Sequence, residues 1–469
     1  MRQRCRHFVL ATAVALLLPS LLLSGCGLGT SAGTAASTAI PTTPRVTHAS
    51  GSVHGGQQPV TGAKVYLFAA STQGYGTSSA SLLNTAASGV STDTSGNGYV
   101  TTDSNGNFNI TGDYTCPSGA LAYAAAVGGN PGLTVGTNNS ALTMLSALGL
   151  CSGLNPSTFI SINEVTTVAT VWALAPFIAD VADIGTSSTN LTGLTNAFAS
   201  VNQLANIGSG SVSGPALPAG AVLPIAEINT IADILSACVN TGGGIAGDGS
   251  MCGNLFAAAT PAPPGVLPGD TVAAALNMAQ NPGLGVATLF TLVPVNAPFQ
   301  PALATSPNDW SIALKYKPAG VTTPKSFAID AAGNLWITNC GSTNCTTTGV
   351  GSVTEVSNFG IPIGTTSAGG LNIPVAIAID LSGNAWIANY GGNSITELNS
   401  SLTPVAAAYT GGGLNAPNSI AIDNAGNAWL TNAGTSSVSE FSSAGAALSG
   451  SSGITTNGGS PVAIAINPH

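Results

Sequence analysis

Charged side chains are scarce in this chain: they make up only 5% of its 469 residues, against about a quarter in ordinary soluble domains. Glycine, by contrast, occurs 60 times, and hydrophobic residues reach 44%. The chain therefore has enough apolar material for buried cores, while its surface depends on hydroxyl and amide groups rather than on ions. This composition favours turn-rich β structure, and the length allows two to four domains.

Basic residues are especially few. From Cys26 onward the chain has five Lys or Arg against seventeen Asp or Glu, which leaves a net charge of −12 on that part. No basic stripe occurs anywhere in it. Because an acidic surface repels phosphate backbones, we expect no nucleic-acid partner.

Histidine is equally rare, at positions 7, 48, 54 and 469 only. The chain also has no GxSxG motif, no HExxH motif and no phosphate loop. A pair of carboxylates could still act as general acid and base, and the acidic candidates are Glu164, Asp180, Asp183, Glu227 and Asp233. Most of these acids stand at helix starts or on solvated faces, where acids occur for structural reasons. We therefore predict no catalytic residue, no metal site and no cofactor.

Residues 1–25 have a basic head and an apolar run that ends in small residues, which is typical of a secretory signal. The run closes with "LSGC" at 23–26, which resembles the lipobox of bacterial lipoproteins, in which the Cys is acylated and becomes the N-terminus. The resemblance implies an exported protein, anchored through lipid on Cys26 to a membrane of the cell envelope, at the outer membrane or cell surface. Residues 26–50 are then a flexible tether.

Six cysteines follow Cys26, and an even number in an exported chain suggests disulfides. Sequence proximity favours the pairs Cys238–Cys252 and Cys340–Cys345 and leaves Cys116–Cys151 by elimination. The alternative is a metal site. It lacks both CxxC spacing and a nearby His, so we prefer the disulfides.

Residues 51–131 read as strands separated by turns. The stretch "QPVTGAKVYLF" alternates, and "DSNGN" at 103–107 is typical of a hairpin turn. Together with "NFNITG" these motifs resemble the carboxypeptidase-regulatory-like, transthyretin-like β-sandwich, which in its family is a non-catalytic module. "DTSGN" at 93–97 suggests calcium at first, but no Glu closes a twelve-residue loop, so we expect a turn.

Residues 132–301 show helical spacing. Asn163 and Asp270 are plausible N-caps of two helices, and Pro176 ends or kinks the first. Two further segments, at 189–206 and 227–240, carry apolar residues at the same period. We expect a helical region held by disulfides and assign it no activity.

Residues 302–469 contain a repeat. Trp336, Trp386 and Trp429 are separated by 50 and 43 residues and stand in near-identical contexts such as "AIAIDLSGNAWIAN". A period near 43 with several short strands is typical of propeller blades. The motif resembles NHL-repeat propellers and the related virginiamycin B lyase propeller. It indicates the fold and says little about function, because one scaffold hosts many activities.

The lyase resemblance implies metal-assisted elimination by His and Glu on one propeller face. Here no His precedes His469 in the repeat region, so the general base is missing. Glu355, Glu397 and Glu440 recur at one blade position. Catalytic residues are seldom repeated in every blade, so we interpret these as packing or solvated strand positions.

With no lyase residues in the repeats, we predict a binding surface on the loops of one propeller face. Amides and a tyrosine there could hold sugars or peptides. The residues expected there are Asn339, Asn372, Asn389, Tyr390, Asn393, Asn415, Asn418 and Asn432. The alternative is that Asn simply suits turns. We predict a non-catalytic binding or scaffold protein with a protein or glycan ligand; the alternative is a lyase or hydrolase.

Three full repeats and half of a fourth are fewer than a ring usually has. We expect Trp310–Lys317, which alternates, to be the outer strand of a closing blade whose inner strand is "VAIAIN" at 462–467. Three interpretations stay open: a small or open propeller, a homodimer that completes one ring, and a reading frame cut short. We prefer truncation or partial closure, and place dimer closure second. The predicted fold class is mainly β, with a sandwich, a helical middle region and a partial propeller.

Overall fold

The computed structural model describes residues 48–111, 114–345 and 349–467. The predicted signal, Cys26 and most of the tether lie outside the described residues. Within the described ranges, no helix is both long and apolar enough to cross a membrane. The architecture is mainly β, with a smaller number of helices.

The N-terminal part is a pair of facing sheets. Its strands are β1 (His48–Gly55), β2 (Gln58–Pro59), β3 (Lys64–Ala69), β4 (Ala80–Ser81), β5 (Ser91–Thr92), β6 (Gly98–Thr101), β7 (Asn107–Thr111), β8 (Leu121–Val127), β9 (Thr143–Leu150) and β10 (Phe159–Ile162). In one sheet β1 pairs with β7, β10 and β2, and in the other the order is β5-β6-β3-β8-β9, with β4 beside β3. Val53, Leu67, Phe108 and Ile110 fill the core between them.

Two of these strands correct the predicted boundary at residue 131. β9 lies antiparallel beside β8, and β10 runs parallel to β1, so both belong to the sandwich although their residues fall in the predicted helical region. Most of β9 is buried, including its side chains on both faces. A strand covered on both faces has no alternation, and its apolar run cannot be told from a buried helix.

After the sandwich the chain forms six helices and four short strands. Their bounds are α1 (Glu164–Leu174), β11 (Ile178–Asp180), β12 (Asp183–Ile184), α2 (Leu191–Leu204), β13 (Ala205–Asn206), β14 (Ser211–Val212), α3 (Ile225–Val239), α4 (Met251–Ala258), α5 (Thr271–Gln280) and α6 (Val286–Phe290). Asn163 and Asp270 cap α1 and α5 by accepting hydrogen bonds from backbone N–H groups three residues on, as the sequence predicts.

The helices pack on the outer face of the β3–β8–β9 sheet. A second core joins Phe68 and Tyr123 of the sheet to Val168 of α1 and Ile231 of α3. Threonines of α1 also protect the edge of β9, because Thr167 and Thr170 accept hydrogen bonds from two of its backbone N–H groups at 3.0 Å each. Sandwich and helices therefore share one continuous interior.

The segment Trp310–Lys317 does not close a blade, contrary to our prediction. Trp310 is fully buried in the helical core, where its carbonyl accepts a 2.8 Å hydrogen bond from the Trp172 indole. Lys315 makes only a single bridge, to Val222. The apolar residues of this segment face the helices, so their alternation reflects packing against that layer instead of membership in a sheet.

The C-terminal part consists of three antiparallel blades in chain order. Blade 1 is β15 (Pro324–Ile329), β16 (Leu335–Asn339), β17 (Ser352–Val356) and β18 (Pro362–Thr366); blade 2 is β19 (Pro374–Ile379), β20 (Ala385–Asn389) and β21 (Ser394–Leu398); blade 3 is β22 (Pro417–Ile422), β23 (Ala428–Asn432), β24 (Ser437–Phe441) and β25 (Ile454–Thr455). The prediction of four strands per blade is confirmed for blades 1 and 3. In blade 2 isolated bridges to Tyr409 and Pro404 replace the outer strand.

Within the described ranges no sheet joins blade 3 back to blade 1, and each blade packs on the next in chain order, so we describe the three blades as an open arc. Blade 1 packs on blade 2 through Trp336, Val353 and Ile377, and blade 2 packs on blade 3 through Trp386 and Ile420. The predicted inner strand at 462–467 is not a strand. The N–H of Ile464 donates to the Ser419 hydroxyl of β22 at 3.3 Å, and the Asn418 amide of β22 donates to the carbonyl of Pro461 at 3.3 Å.

Three disulfides link the predicted cysteine pairs: Cys116–Cys151, which elimination left, and Cys238–Cys252 and Cys340–Cys345, which proximity favours. The first ties the loop before β8 to the residue that follows β9. The second joins α3 to α4 and has both cysteines fully buried. The third closes the insertion in blade 1.

Candidate functional site

Two of the three repeated glutamates have a structural role. Each lies directly opposite the blade tryptophan: Glu355 faces Trp336, and Glu397 faces Trp386. Glu355 and Glu397 are almost fully buried. Glu397 accepts hydrogen bonds from the Asn384 amide at 2.9 Å and from the Tyr409 hydroxyl at 2.6 Å, while Glu355 accepts one from the Asn334 amide at 3.1 Å. The carboxyls of Glu355 and Glu397 therefore stabilise their blades, whereas Glu440 is only partly buried.

Three of the predicted ligand-binding asparagines are structural as well. Asn339, Asn389 and Asn432 end the second strand of each blade and are at most 1% exposed. In blade 2 the Asn389 Oδ1 accepts from the backbone N–H of Asn372, and its Nδ2 donates to Ser394 and Thr396. The same three contacts occur in blades 1 and 3. Buried and fully bonded, these amides cannot reach a ligand, which corrects our prediction.

The other predicted loop residues differ in their exposure and hydrogen bonding. Asn393 is exposed, and its Oδ1 accepts a 2.7 Å hydrogen bond from the backbone of Ala416, which links the loops of blades 2 and 3. Asn415 is exposed. The Oδ1 of Asn372 is buried and has no hydrogen bond within the described residues.

Tyr390 and Asn418 do come together. Both line a depression of about 400 Å³ on the propeller face. The depression lies where equivalent positions of the repeat converge, each one residue after the repeated proline. These positions are Lys325, Val375, Asn418 and Val462. Asn344 and Cys345 of the disulfide-closed insertion add to its wall.

Lys325 was not among the predicted site residues, although its place after a repeated proline distinguishes it. It is exposed and brings a positive charge to an otherwise acidic chain. No ion pair to it exists among the described residues, so its ammonium is available to a ligand. Tyr390, at 39% exposure, offers a ring and a hydroxyl beside it. The depression can therefore combine one cation and one aromatic ring. The Asn418 amide is already engaged, because its Oδ1 accepts from the Thr431 hydroxyl at 2.7 Å and its Nδ2 donates to the carbonyl of Pro461 at 3.3 Å.

Two of the acidic candidates from the helical region are deeply buried. Both carboxylate oxygens of Glu164 accept from the backbone N–H of Gly56, at 2.9 and 3.0 Å. Asp233 accepts from the N–H of Phe299 at 2.9 Å, and its other oxygen has no partner within the described residues. Burial raises the pKa of Glu164 to about 8 and that of Asp233 to about 7. They join the helices to neighbouring loops. No group of three or more potential metal ligands occurs in the described part of the chain.

Comparison with known proteins gives no family. No protein-family profile matches the chain, and no curated protein matches it. Among solved structures, similarities involve propeller-like proteins, including virginiamycin B lyase, at low coverage.

Three of these structures illustrate the extent of the likeness. Hydrazine synthase of Kuenenia stuttgartiensis is 16% identical, with a TM-score of 0.26 over 32% of this chain and 40% of that one. Virginiamycin B lyase of Staphylococcus aureus is 16% identical, with a TM-score of 0.22 over 27% of this chain and 40% of the lyase. A nidogen/laminin complex is 18% identical, with a TM-score of 0.23 over 28% and 47%. The match thus spans less than half the length of each of these chains.

Proposed function

We propose that the chain is an exported, lipid-anchored protein of the bacterial cell envelope that binds a protein or glycan ligand without chemical change. The depression lined by Lys325, Tyr390 and Asn418 is the observation that supports this most directly. It offers the ammonium of Lys325 and the ring and hydroxyl of Tyr390, while no carboxylate and no histidine among the described residues lines it. Glu355 and Glu397 are buried and hydrogen-bonded inside their blades, which favours binding over the lyase or hydrolase alternative.

The test of this proposal uses the purified chain and soluble cell-envelope glycans and proteins. Binding partners recovered on the chain are purified and titrated against it, and their masses are measured before and after incubation. We expect an unchanged mass and saturable binding that falls at least tenfold in Lys325→Ala and Tyr390→Ala. Lys317→Ala is the matched control, because Lys317 is exposed outside the depression. Turnover of the ligand, or binding that both variants retain, would refute the proposal.

We further propose that the arc associates with a second copy through blade 1. Phe327 of β15 is 62% exposed, whereas the equivalent Ile377 and Ile420 are 7% and 8% exposed under the preceding blade. Ile329, also in β15, is 58% exposed. The covering residues in the two internal interfaces are Trp336 and Trp386. The surface that would cover Phe327 in the same manner is the half-buried Trp429 face of blade 3 in another molecule.

A further inference from the structure

A cleft of about 580 Å³ lies apart from the propeller, between the sandwich and the helical region. Its floor is the face of the sheet formed by β1 and β10, where Ser52 stands opposite Ser161. Residues 208–212 form one wall and residues 298–300 another. The volume falls in the range of small-ligand sites, which is about 300–1,000 Å³.

The lining of this cleft carries no charge. Neither Lys, Arg, Asp nor Glu contributes to it, and its polar side chains are those of Ser, Asn, Gln and one His. The His is His54, and burial lowers its pKa below the ordinary 6.5, so the imidazole is neutral at pH 7. A neutral imidazole offers one donor and one acceptor. The cleft therefore suits a ligand with many hydroxyl groups and no charge.

Several of these polar groups are free to bind a ligand. Ser52 and His54 are two residues apart in β1, so their side chains point to the same face of the sheet. Neither side chain makes a hydrogen bond within the described residues. Asn229 donates its Nδ2 to the carbonyl of Pro301 at 2.9 Å, which leaves its Oδ1 as an unused acceptor. Since leaving polar groups without partners is unfavourable, a ligand with matching hydroxyls gains by bonding them.

Other polar groups of the lining are fixed by the protein itself. Asn163 bonds the N–H of Thr166 and the carbonyl of Gly210, and Ser161 donates to the carbonyl of Gly208. These contacts hold the walls in place. The cleft is thus formed before any ligand arrives, which lowers the entropic cost of binding.

The cleft also has an apolar side. Phe159, at the start of β10, lines it and is 44% exposed, although phenylalanine is usually buried. Ile225, at the start of α3, lines it as well and is 40% exposed. An exposed ring beside hydrogen-bonding groups is a combination that fits a sugar, which has an apolar ring face and polar edges.

A peptide is a poorer fit. Extended peptides bind by adding a strand to a free sheet edge, but at the edge strand β10 the N–H of Ser161 already donates to the carbonyl of Ile207 at 2.8 Å. The cleft also has no charge to hold a terminus or an ionised side chain. We propose that this cleft binds a neutral oligosaccharide, with Phe159 as stacking platform and Ser52, His54 and Asn229 as hydrogen-bonding partners.

The test is titration calorimetry on the intact purified chain. The probes are maltotetraose, cellotetraose, laminaritetraose and chitotetraose, with tetragalacturonic acid as charged counterpart and a capped Ala–Gly tetrapeptide as peptide counterpart. We expect at least one neutral tetrasaccharide to bind with a dissociation constant between micromolar and millimolar. The affinity should fall at least tenfold in His54→Ala and in Phe159→Ala.

A steric variant covers the case in which Phe159→Ala unfolds the sandwich. Ser209 is exposed on the wall of the cleft, so Ser209→Trp fills the cleft without removing a packed side chain and should abolish binding. Tyr390→Ala, in the propeller, should bind the sugar normally. The proposal is overturned if no neutral tetrasaccharide binds at millimolar concentration, if the charged sugar or the peptide binds instead, or if Ser209→Trp binds as well as the unaltered chain.

Discussion

The carboxylate of Asp380 accepts a 3.0 Å hydrogen bond from the indole nitrogen of Trp386, six residues further on. The other oxygen of the same carboxylate accepts from the N–H groups of Ser382 and Asn384 and so shapes the turn between β19 and β20. The equivalent bonds join Asp330 to Trp336 and Asp423 to Trp429. In each blade one carboxylate therefore fixes both the turn and the tryptophan.

Replacing Asp380 with alanine should destabilise the propeller by about 3 kcal/mol. The variant loses three hydrogen bonds to a charged acceptor and leaves the indole N–H of the buried Trp386 without a partner. The measurement is urea unfolding followed by tryptophan fluorescence, in which the transition of the propeller should move to lower urea.

Asp103 provides the matched control. Its Oδ1 accepts from the backbone of Asn105 and Asn107 in the same way, but no tryptophan bonds to it. Asp103→Ala should cost about 1 kcal/mol. Equal losses in the two variants would show that the turn, and not the tryptophan, accounts for the role of Asp380.

Alanine substitutions at the adjacent residues Asn389 and Tyr390 should have very different effects on folding stability. Asn389→Ala leaves Ser394, Thr396 and a backbone N–H without their buried partner, so we expect a loss of about 2–4 kcal/mol in unfolding free energy. Tyr390→Ala removes a partly exposed ring and should change stability by less than about 0.5 kcal/mol. Urea unfolding checks both. A stable Asn389→Ala variant would argue against a structural role for the repeated asparagine.

The blades could be predicted from the sequence because they repeat. A period near 43 and the Asp-containing turn before each Trp mark the strand positions without reference to the β propensity of single residues. β9 was missed for a physical reason: it is buried on both faces and so lacks the alternation that identifies a strand. Trp310 was misplaced for the opposite reason. Its segment alternates, but alternation shows only that one side is buried and not which layer buries it.

The candidate sites were less predictable than the fold. Asn389 and Asn418 both lie near turns. Asn389 is buried, whereas Asn418 lines the depression, and no local sequence pattern distinguishes the two. Lys325 could have been found from its place after the repeated proline. The cleft around His54 could not, since it joins residues of β1, β10 and two distant loops that only the packing of the helices brings together.

The buried carboxyls Glu164 and Asp233 should make folding stability depend on pH. Their pKa values rise in the folded chain from 4.5 to about 8 and from 3.8 to about 7. Folding therefore favours the protonated forms. This stabilisation is complete below the unfolded values near 4 and is lost as the pH rises through about 7 and 8.

Glu164→Gln and Asp233→Asn should flatten that dependence. Each amide keeps an oxygen that can accept from the N–H of Gly56 or Phe299, but neither titrates. Thermal unfolding between pH 5 and pH 9 should show the unaltered chain losing stability as the pH rises and the double variant losing less. Asp180→Asn, at an exposed carboxyl, is the control and should follow the unaltered chain. A double variant with an unchanged slope would contradict the assignment.

The proposed self-association through blade 1 can be tested by measuring the mass of the chain in solution. Phe327 and Ile329 expose apolar surface at positions that the preceding blade covers elsewhere in the arc, so burying them against a second copy should be favourable. We expect light scattering after size exclusion to show a mass that rises with concentration, and the paired change Phe327→Ser and Ile329→Thr to weaken association more than tenfold. Leu381→Ser is the control, because Leu381 is 87% exposed but lies in the turn between β19 and β20 of blade 2. A monomer at every concentration, or association that survives the paired change, would mean that the face of blade 1 does not bind a second copy.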